Sequence, residues 1–426
     1  MPDLVDRLLP RLRAHALPGL EPGEGFVLPD YTGGSLLNLT ASICALLGAP
    51  LPGVPLLAPD LLPPSASRYR RIVLLVVDGL GLDFFQRYLA QQRSVWEQRL
   101  PRAALAPLTS LAPSTTATVL TSLWTGAGPL QHGILGYEVW LREFGVVANM
   151  ISQSPASASG EVSGLNRFGF IPEQFMPATP LGVHLARHGA DAHAFLPIGL
   201  ARSGLSSMHL GNARLYPYRS FSDLWISLAE LLSRQPPGPQ FIYAYWPELD
   251  TLSHAFGPRD ERVMAEFSLF SRAAEQLFFD RLGDRGLEDT LFLLTADHGA
   301  VETSPAPERE LRSHPRLAEM LHIQPTGETR LVYLYPRPGK ADAVRKYFEQ
   351  AWPGDFALLP SAEAIRSGLF GPGEPSPLVA SRVGDLVAAA RGQAYLWWQN
   401  KENRLLGRHG GLSAEEMLVP LYALPG

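Results

Sequence analysis

The apolar positions of this chain follow two different periods. Residues 71–77, RIVLLVV, carry an almost unbroken apolar run. Such a run suits a parallel strand covered on both faces rather than a half-exposed one. Shorter runs of the same kind recur at 192–196, 240–246 and 290–295. Between them lie helical patterns at 82–98, 220–234 and 259–281, and another from Thr116 to Trp124. Strand and helix in alternation predict an α/β fold with a central, mainly parallel sheet between helices. Any site is then expected at the carboxyl ends of the strands.

The flanks have another texture. Leu4, Leu8, Leu9 and Leu12 mark one stripe of a helix over 1–16, and a second apolar helix is predicted over 34–47, with Gly48 as its stop. The proline-rich stretch 49–68 reads as a connector. Residues 1–68 are therefore expected to form a helical, wrapping extension on a catalytic α/β domain made of 69–300 and 390–426. Residues 301–389 read as a small α+β insertion. Within it GETRLVYLYPRPG (327–339) predicts one strand ending in a turn, ADAVRKYFEQAW (341–352) a helix, and a further helix starts near Ser361.

Composition changes this picture only at the margins. A chain of 426 residues is ample for a large core. The net charge of −5 is spread along the chain without a basic block, which argues against a nucleic-acid groove. Cys44 is the only cysteine, so neither a disulfide framework nor a thiolate metal site is available within one chain. No segment reaches the roughly 18–20 apolar residues of a spanning helix, and residues 1–20 do not read as a signal peptide. A cytoplasmic enzyme acting on a small molecule, without a membrane partner, is the expectation.

The chemistry gathers at strand ends. Asp78 follows the strongest strand in VVDGLG, and Asp297 and His298 follow LFLLTA. Asp250 and His254 stand four apart in PELDTLSHAFGP, a spacing that shares one face of a helical turn; a short turn beside strand 240–246 is expected there. His409 lies among glycines in GRHGGLSAEEMLVP. Three carboxylates and three imidazoles suit zinc, or manganese, and two adjacent centres are a recurrent solution for phosphoryl chemistry. The predicted division puts Asp78, Asp297 and His298 on one metal and Asp250, His254 and His409 on the other. SLAPSTTATVLTSLWTG (110–126) places two hydroxyls where a helix opens, and a helix start exposes free N–H groups that welcome phosphate. A metal touching a threonine oxygen there would make it a nucleophile. Spacing alone leaves Thr115 and Thr116 both open. His184, His188 and His193 read as surface or packing residues, His132 as structural, and His209 and His314 as secondary candidates for a pocket wall.

As a set, VVDG (76–79), PSTTATVLTSLWTG (113–126), PLQHGI (129–134), ELDTLSHAFGP (248–258), TADHG (295–299) and RHGG (408–411) resemble the type I phosphodiesterase/nucleotide pyrophosphatase branch of the alkaline phosphatase superfamily, over about residues 70–424. The resemblance implies a central mixed, mainly parallel sheet and two zinc ions that bridge the substrate phosphate. It selects Thr116 as the nucleophile, in contact with metal, and implies in-line attack, a phosphorylated threonine and its hydrolysis. The six ligands match the family's roles residue by residue.

Two departures bear on the substrate. Thr118-Val119-Leu120 stands where nucleotide pyrophosphatases have Pro-Asn-His, and Tyr137 stands where they place a phosphoryl-binding Asn. Asn149 and Asn166 are the candidate replacements. The expected activity is cleavage of a phosphodiester or pyrophosphate bond. The alternatives are a phosphomonoesterase or phosphonate hydrolase on the same site, then a phosphomutase, since the HGGLSAEEMLVPL tail also resembles cofactor-independent phosphoglycerate mutases. A non-catalytic binding protein on the same fold is the reading from a different class. The C/S-x-P-x-R signature of sulfatases is absent.

Overall fold

The computed structural model describes residues 4–62, 69–158, 164–234 and 238–426. Residues 1–3 of the predicted first helix and 63–68 of the predicted connector lie outside these. Among the described residues, two seven-stranded sheets dominate. In the first, the order across the sheet is Ala104–Thr109, Leu418–Pro425, Thr290–Thr295, Arg71–Val77, Gln240–Trp246, Asp191–Pro197 and Arg214–Tyr218. The five strands from Thr290–Thr295 onward run parallel, while Leu418–Pro425 runs antiparallel to both its neighbours. All seven residues of Arg71–Val77 are buried, as the unbroken apolar run requires of a strand with helices on both faces. The expected α/β architecture with a central, mainly parallel sheet is the one observed.

Register fixes the site. Val77 lies opposite Trp246, and Val76 opposite Thr295. Three adjacent parallel strands therefore end level with one another, and Asp78, Asp250 and Asp297 leave from these carboxyl ends. This is the position where open parallel sheets place their ligands.

The second sheet is antiparallel and corrects two expectations. GETRLVYLYPRPG is not one strand. Leu321–Glu328 turns back through Thr329 and Arg330 into Leu331–Pro336, with Glu328 opposite Leu331. The sheet is also not confined to 301–389. Its order is Phe356–Pro360, Leu386–Ala390, Leu331–Pro336, Leu321–Glu328, Glu138–Leu141, Val146–Asn149 and Ser154–Pro155, so three strands come from the segment after the Thr116 helix. Those strands are short and interrupted by a turn at Gly145, which is why they left no extended apolar pattern. At the N-terminus, helix Val5–Arg13 buries Val5, Leu8 and Leu12, and helix Leu36–Leu46 packs against helix Thr116–Thr125. No helix among the described residues is long and apolar enough to cross a membrane.

Candidate metal centre

The six sequence-predicted ligands converge. Asp78 and Asp297 are buried carboxylates, and His298 Nε2 lies 3.3 Å from Asp78 Oδ1 and 3.5 Å from Asp297 Oδ2. Asp250 and His254 sit on helix Glu248–Phe256, a longer element than the short turn expected. There His254 Nε2 is 3.1 Å from Asp250 Oδ2. His409 Nε2 lies 3.8 Å from Asp250 Oδ1, and the His298 and His409 rings stack at 3.6 Å. Two triads, Asp78 with Asp297 and His298, and Asp250 with His298 and His409, each bring one donor atom per residue within 4.8 Å of the others. His254 flanks the second triad, its ring 5.1 Å from that of His409. His298 belongs to both, so the two candidate positions are contiguous.

The donor atoms are arranged for cations. Asp78 Oδ1, Asp250 Oδ1 and Asp297 Oδ2 are buried without a hydrogen-bond partner, which is costly unless something positive meets them. Burial and the charges of Asp297 and Asp250 hold the Asp78 carboxyl well above its usual range. Burial likewise raises Asp297, helped by Asp250 and opposed by His298. Desolvation would raise Asp250 too, but His254, His409 and His298 outweigh it and hold that carboxyl below the usual range. Burial and the charge of His298 push His409 well below the usual imidazole value, so it stays neutral and able to ligate. In His254 the Asp250 carboxylate outweighs desolvation and raises it.

Backbone carbonyls set the tautomers. His254 Nδ1 donates to Gly407 O (2.8 Å), His298 Nδ1 to Gly299 O (3.0 Å) and His409 Nδ1 to Ser114 O (3.2 Å). A carbonyl only accepts, so each Nδ1 carries the proton and each Nε2 offers its lone pair inward. Glycine makes the close approaches feasible. A Cβ on Gly79, at φ +75°, would lie 3.1 Å from the Asp250 backbone, and one on Gly410, at φ +104°, would lie 2.4 Å from the Glu328 side chain.

Thr116 is the first residue of helix Thr116–Thr125, and its Oγ1 is 3.2 Å from His298 Nε2 and 3.5 Å from Asp78 Oδ2. Thr115, one position earlier, turns its hydroxyl to Glu328 instead. Sequence reasoning missed three supports. Tyr245 donates to Asp78 Oδ2, Ser110 Oγ donates to Asp297 O, and Glu328 accepts from Tyr137 N at 2.7 Å. Tyr245 and Ser110 sit one residue from a strand end, where alternation could have pointed them inward; nothing in GETR marks Glu328. The Tyr137 hydroxyl bonds Asn149, whose Oδ1 accepts from the Ile151 and Ser152 N–H groups at 3.0 Å each. Tyr137 and Asn149 line a different cavity from that at Thr116, and Asn166 is exposed. His132 donates to Ser122 and accepts from Ile134 N, a structural role. His184, His188, His193 and His314 make hydrogen bonds away from the centre, His184 to Ala49 O in the N-terminal extension. His209 lines the cavity beside Thr116.

Comparison with known families matches residues 72–412 to the type I phosphodiesterase / nucleotide pyrophosphatase model. Among solved structures, an inactive form of murine ectonucleotide pyrophosphatase/phosphodiesterase 5 in complex with AMP is 20% identical. The alignment covers 83% of this chain and 87% of that one, with a TM-score of 0.60. The human counterpart is 18% identical, over 83% and 87%, also at 0.60. Phosphonoacetate hydrolase from Sinorhizobium meliloti 1021, in complex with phosphonoacetate, is 17% identical over 82% and 89%, at 0.59. At these identities the likeness is one of fold. No match was found among curated proteins.

Proposed function

The chain belongs to the type I phosphodiesterase / nucleotide pyrophosphatase family, and from that membership and the geometry of the centre we propose that it cleaves a phosphodiester or pyrophosphate bond through a phosphothreonine on Thr116. One observation carries the reading. The Thr116 hydroxyl opens a helix and sits within 3.5 Å of two members of a buried ligand triad. Asp78, Asp297 and His298 would hold one divalent cation, and Asp250, His254 and His409 a second. Three carboxylates and three imidazoles favour Zn2+, with Mn2+ as the alternative. When bound, the cations supply the charge that lowers the pKa of the Thr116 hydroxyl and offsets negative charge on the phosphoryl oxygens.

In the first step Thr116 Oγ1 bonds to phosphorus as the bond from phosphorus to the departing oxygen breaks. The Thr116 proton is lost to solvent and the departing group takes one up. The free N–H groups at the start of helix Thr116–Thr125 favour a phosphoryl group at that end. In the second step water adds at phosphorus and Thr116 Oγ1 leaves, regaining its proton. Throughout, the carbonyl-held imidazoles keep Nε2 directed at the centre.

A second reading, phosphomonoester or phosphonate hydrolysis, draws support from Tyr137. The position that carries an amide in nucleotide-cleaving relatives here holds a phenol already bonded to Asn149. The relatives compared include one bound to AMP and one bound to phosphonoacetate. A panel of bis-p-nitrophenyl phosphate, p-nitrophenyl phosphate and a nucleotide phosphodiester, assayed with zinc or manganese, separates the readings. The diesters are expected to turn over fastest, and acid-quenched protein is expected to carry on Thr116 the phosphoryl group, still bearing its remaining ester substituent when a diester is the substrate. Faster monoester turnover would overturn the diester assignment, and an unlabelled Thr116 would overturn the mechanism.

A further inference from the structure

Resting on the reading of Thr116 as the phosphoryl acceptor, the geometry points to a substituent pocket beside it that takes an uncharged, largely apolar group of about one aromatic ring. A second phosphate, a carboxylate or a whole nucleotide is not what it fits. The cavity has a volume of about 190 Å³ and is bounded by Thr116, Asp78 and Asp250, so its contents abut the reacting centre. A dry cavity of roughly 150 Å³ admits benzene. A slightly larger one holds a ring with a small polar group, whereas drug-sized ligands occupy roughly 300 Å³ or more.

The walls set the chemistry. Leu120, Trp124, Leu196, Leu205 and Tyr243 are buried and line the cavity, and among the described residues no lysine or arginine does. His209 is the one histidine among the described lining residues, and its state follows from hydrogen bonding. Thr121 donates its one hydroxyl proton to Ala117 O at 2.6 Å, so at 2.9 Å from His209 Nε2 it can only accept. His209 therefore carries its proton on Nε2, and burial pushes its pKa down to about 3, leaving the ring neutral. An anionic substituent against these apolar walls would lose its hydration with no lysine or arginine among the described lining residues to offset it.

The pocket still offers polar recognition. His209 Nδ1 makes no hydrogen bond among the described residues, and neither does the buried Tyr243 hydroxyl donate one. A hydroxyl or amide on the ring could donate to the first and accept from the second. Such a neutral handle gives orientation without charge.

The test uses phosphonates, which carry a single substituent on phosphorus. Zinc-loaded protein is titrated calorimetrically with phenylphosphonate, methylphosphonate and phosphonoacetate. Phenylphosphonate is expected to bind at least roughly tenfold tighter than methylphosphonate, from the apolar area buried, and phosphonoacetate no tighter than methylphosphonate. Leu205→Trp, which fills the cavity, is expected to erase the phenyl advantage. Leu200→Arg, on the same wall, is expected to tighten phosphonoacetate selectively. Equal phenyl and methyl binding, or phosphonoacetate binding tightest to the unaltered protein, overturns the pocket assignment while phosphate still appears on Thr116. If no phosphonate binds and Thr116 never labels, the parent reading fails and the pocket assignment falls with it.

Discussion

Thr115 and Thr116 share a side chain and a peptide bond but face opposite ways. Thr116 meets His298 and Asp78, whereas Thr115 meets Glu328. Thr116→Ala is expected to lower turnover at least roughly 1,000-fold and abolish the phosphorylated species, with Thr116→Ser retaining part of both. Thr115→Val is expected to keep the phosphorylated species and to cost about 1–3 kcal/mol in urea melts, because it leaves a buried acceptor without its partner. Equal loss of phosphorylation in both variants would contradict the assignment. The sequence marked the pair through the helix start, but only family resemblance chose between them, since adjacent hydroxyls cannot be ranked by spacing. Glu328 was illegible altogether, because its burial depends on a hairpin that the pattern did not reveal. Burial pushes that carboxyl up to about 8 in the metal-free protein, from an ordinary value of 4.5. Below about pH 4.5 it is neutral folded and unfolded alike. As pH rises from there to about 8, only the unfolded chain ionises, so stability falls across that window. Glu328→Gln is expected to flatten this slope in chelator-treated protein, and an unchanged slope would show that Glu328 does not stay neutral on folding.

At the level of elements, the His409 loop is held from below by an ion pair between the two sheets. Arg330, in the turn after Leu321–Glu328, donates through Nε and Nη2 to both Glu416 oxygens at 2.7 and 2.9 Å, and the side chains are fully buried. The same carboxylate accepts from Gly411 N at 2.8 Å and Ser413 N at 3.3 Å, which fixes the chain just after His409. Arg330→Met strands this carboxylate. We expect a loss of roughly 3–5 kcal/mol, the range for breaking a buried pair, with weaker metal binding; a change under about 1 kcal/mol would show that the loop holds itself. The parallel strands and their helices were legible, because continuous apolar runs and helical spacing are strong signals over long segments. The second sheet was not. Its strands are short, its pairing joins segments far apart in sequence, and neither fact leaves a local period.

Across the whole molecule, the ligands come from four separate stretches, at 78, 250–254, 297–298 and 409, brought together by strand register. Each was an ambiguous residue alone. Their order and motifs made the set readable, and His209 was legible as a candidate for a pocket wall, while the backbone carbonyls that orient the histidines and the apolar walls around His209 appear only in three dimensions. Cations that bind the folded chain and not the unfolded one must stabilise it, by roughly 4 kcal/mol at a thousandfold excess over Kd. Chelation is therefore expected to lower the melting temperature and zinc to restore it, and metal-independent melting would contradict a shared centre. The most direct measurement is a crystal structure grown with zinc and vanadate. The account predicts two metal ions, one on Asp78, Asp297 and His298 and one on Asp250, His254 and His409, with vanadium between them at bonding distance from Thr116 Oγ1. Vanadium on Thr115, or fewer than two ions at saturating zinc, would contradict it.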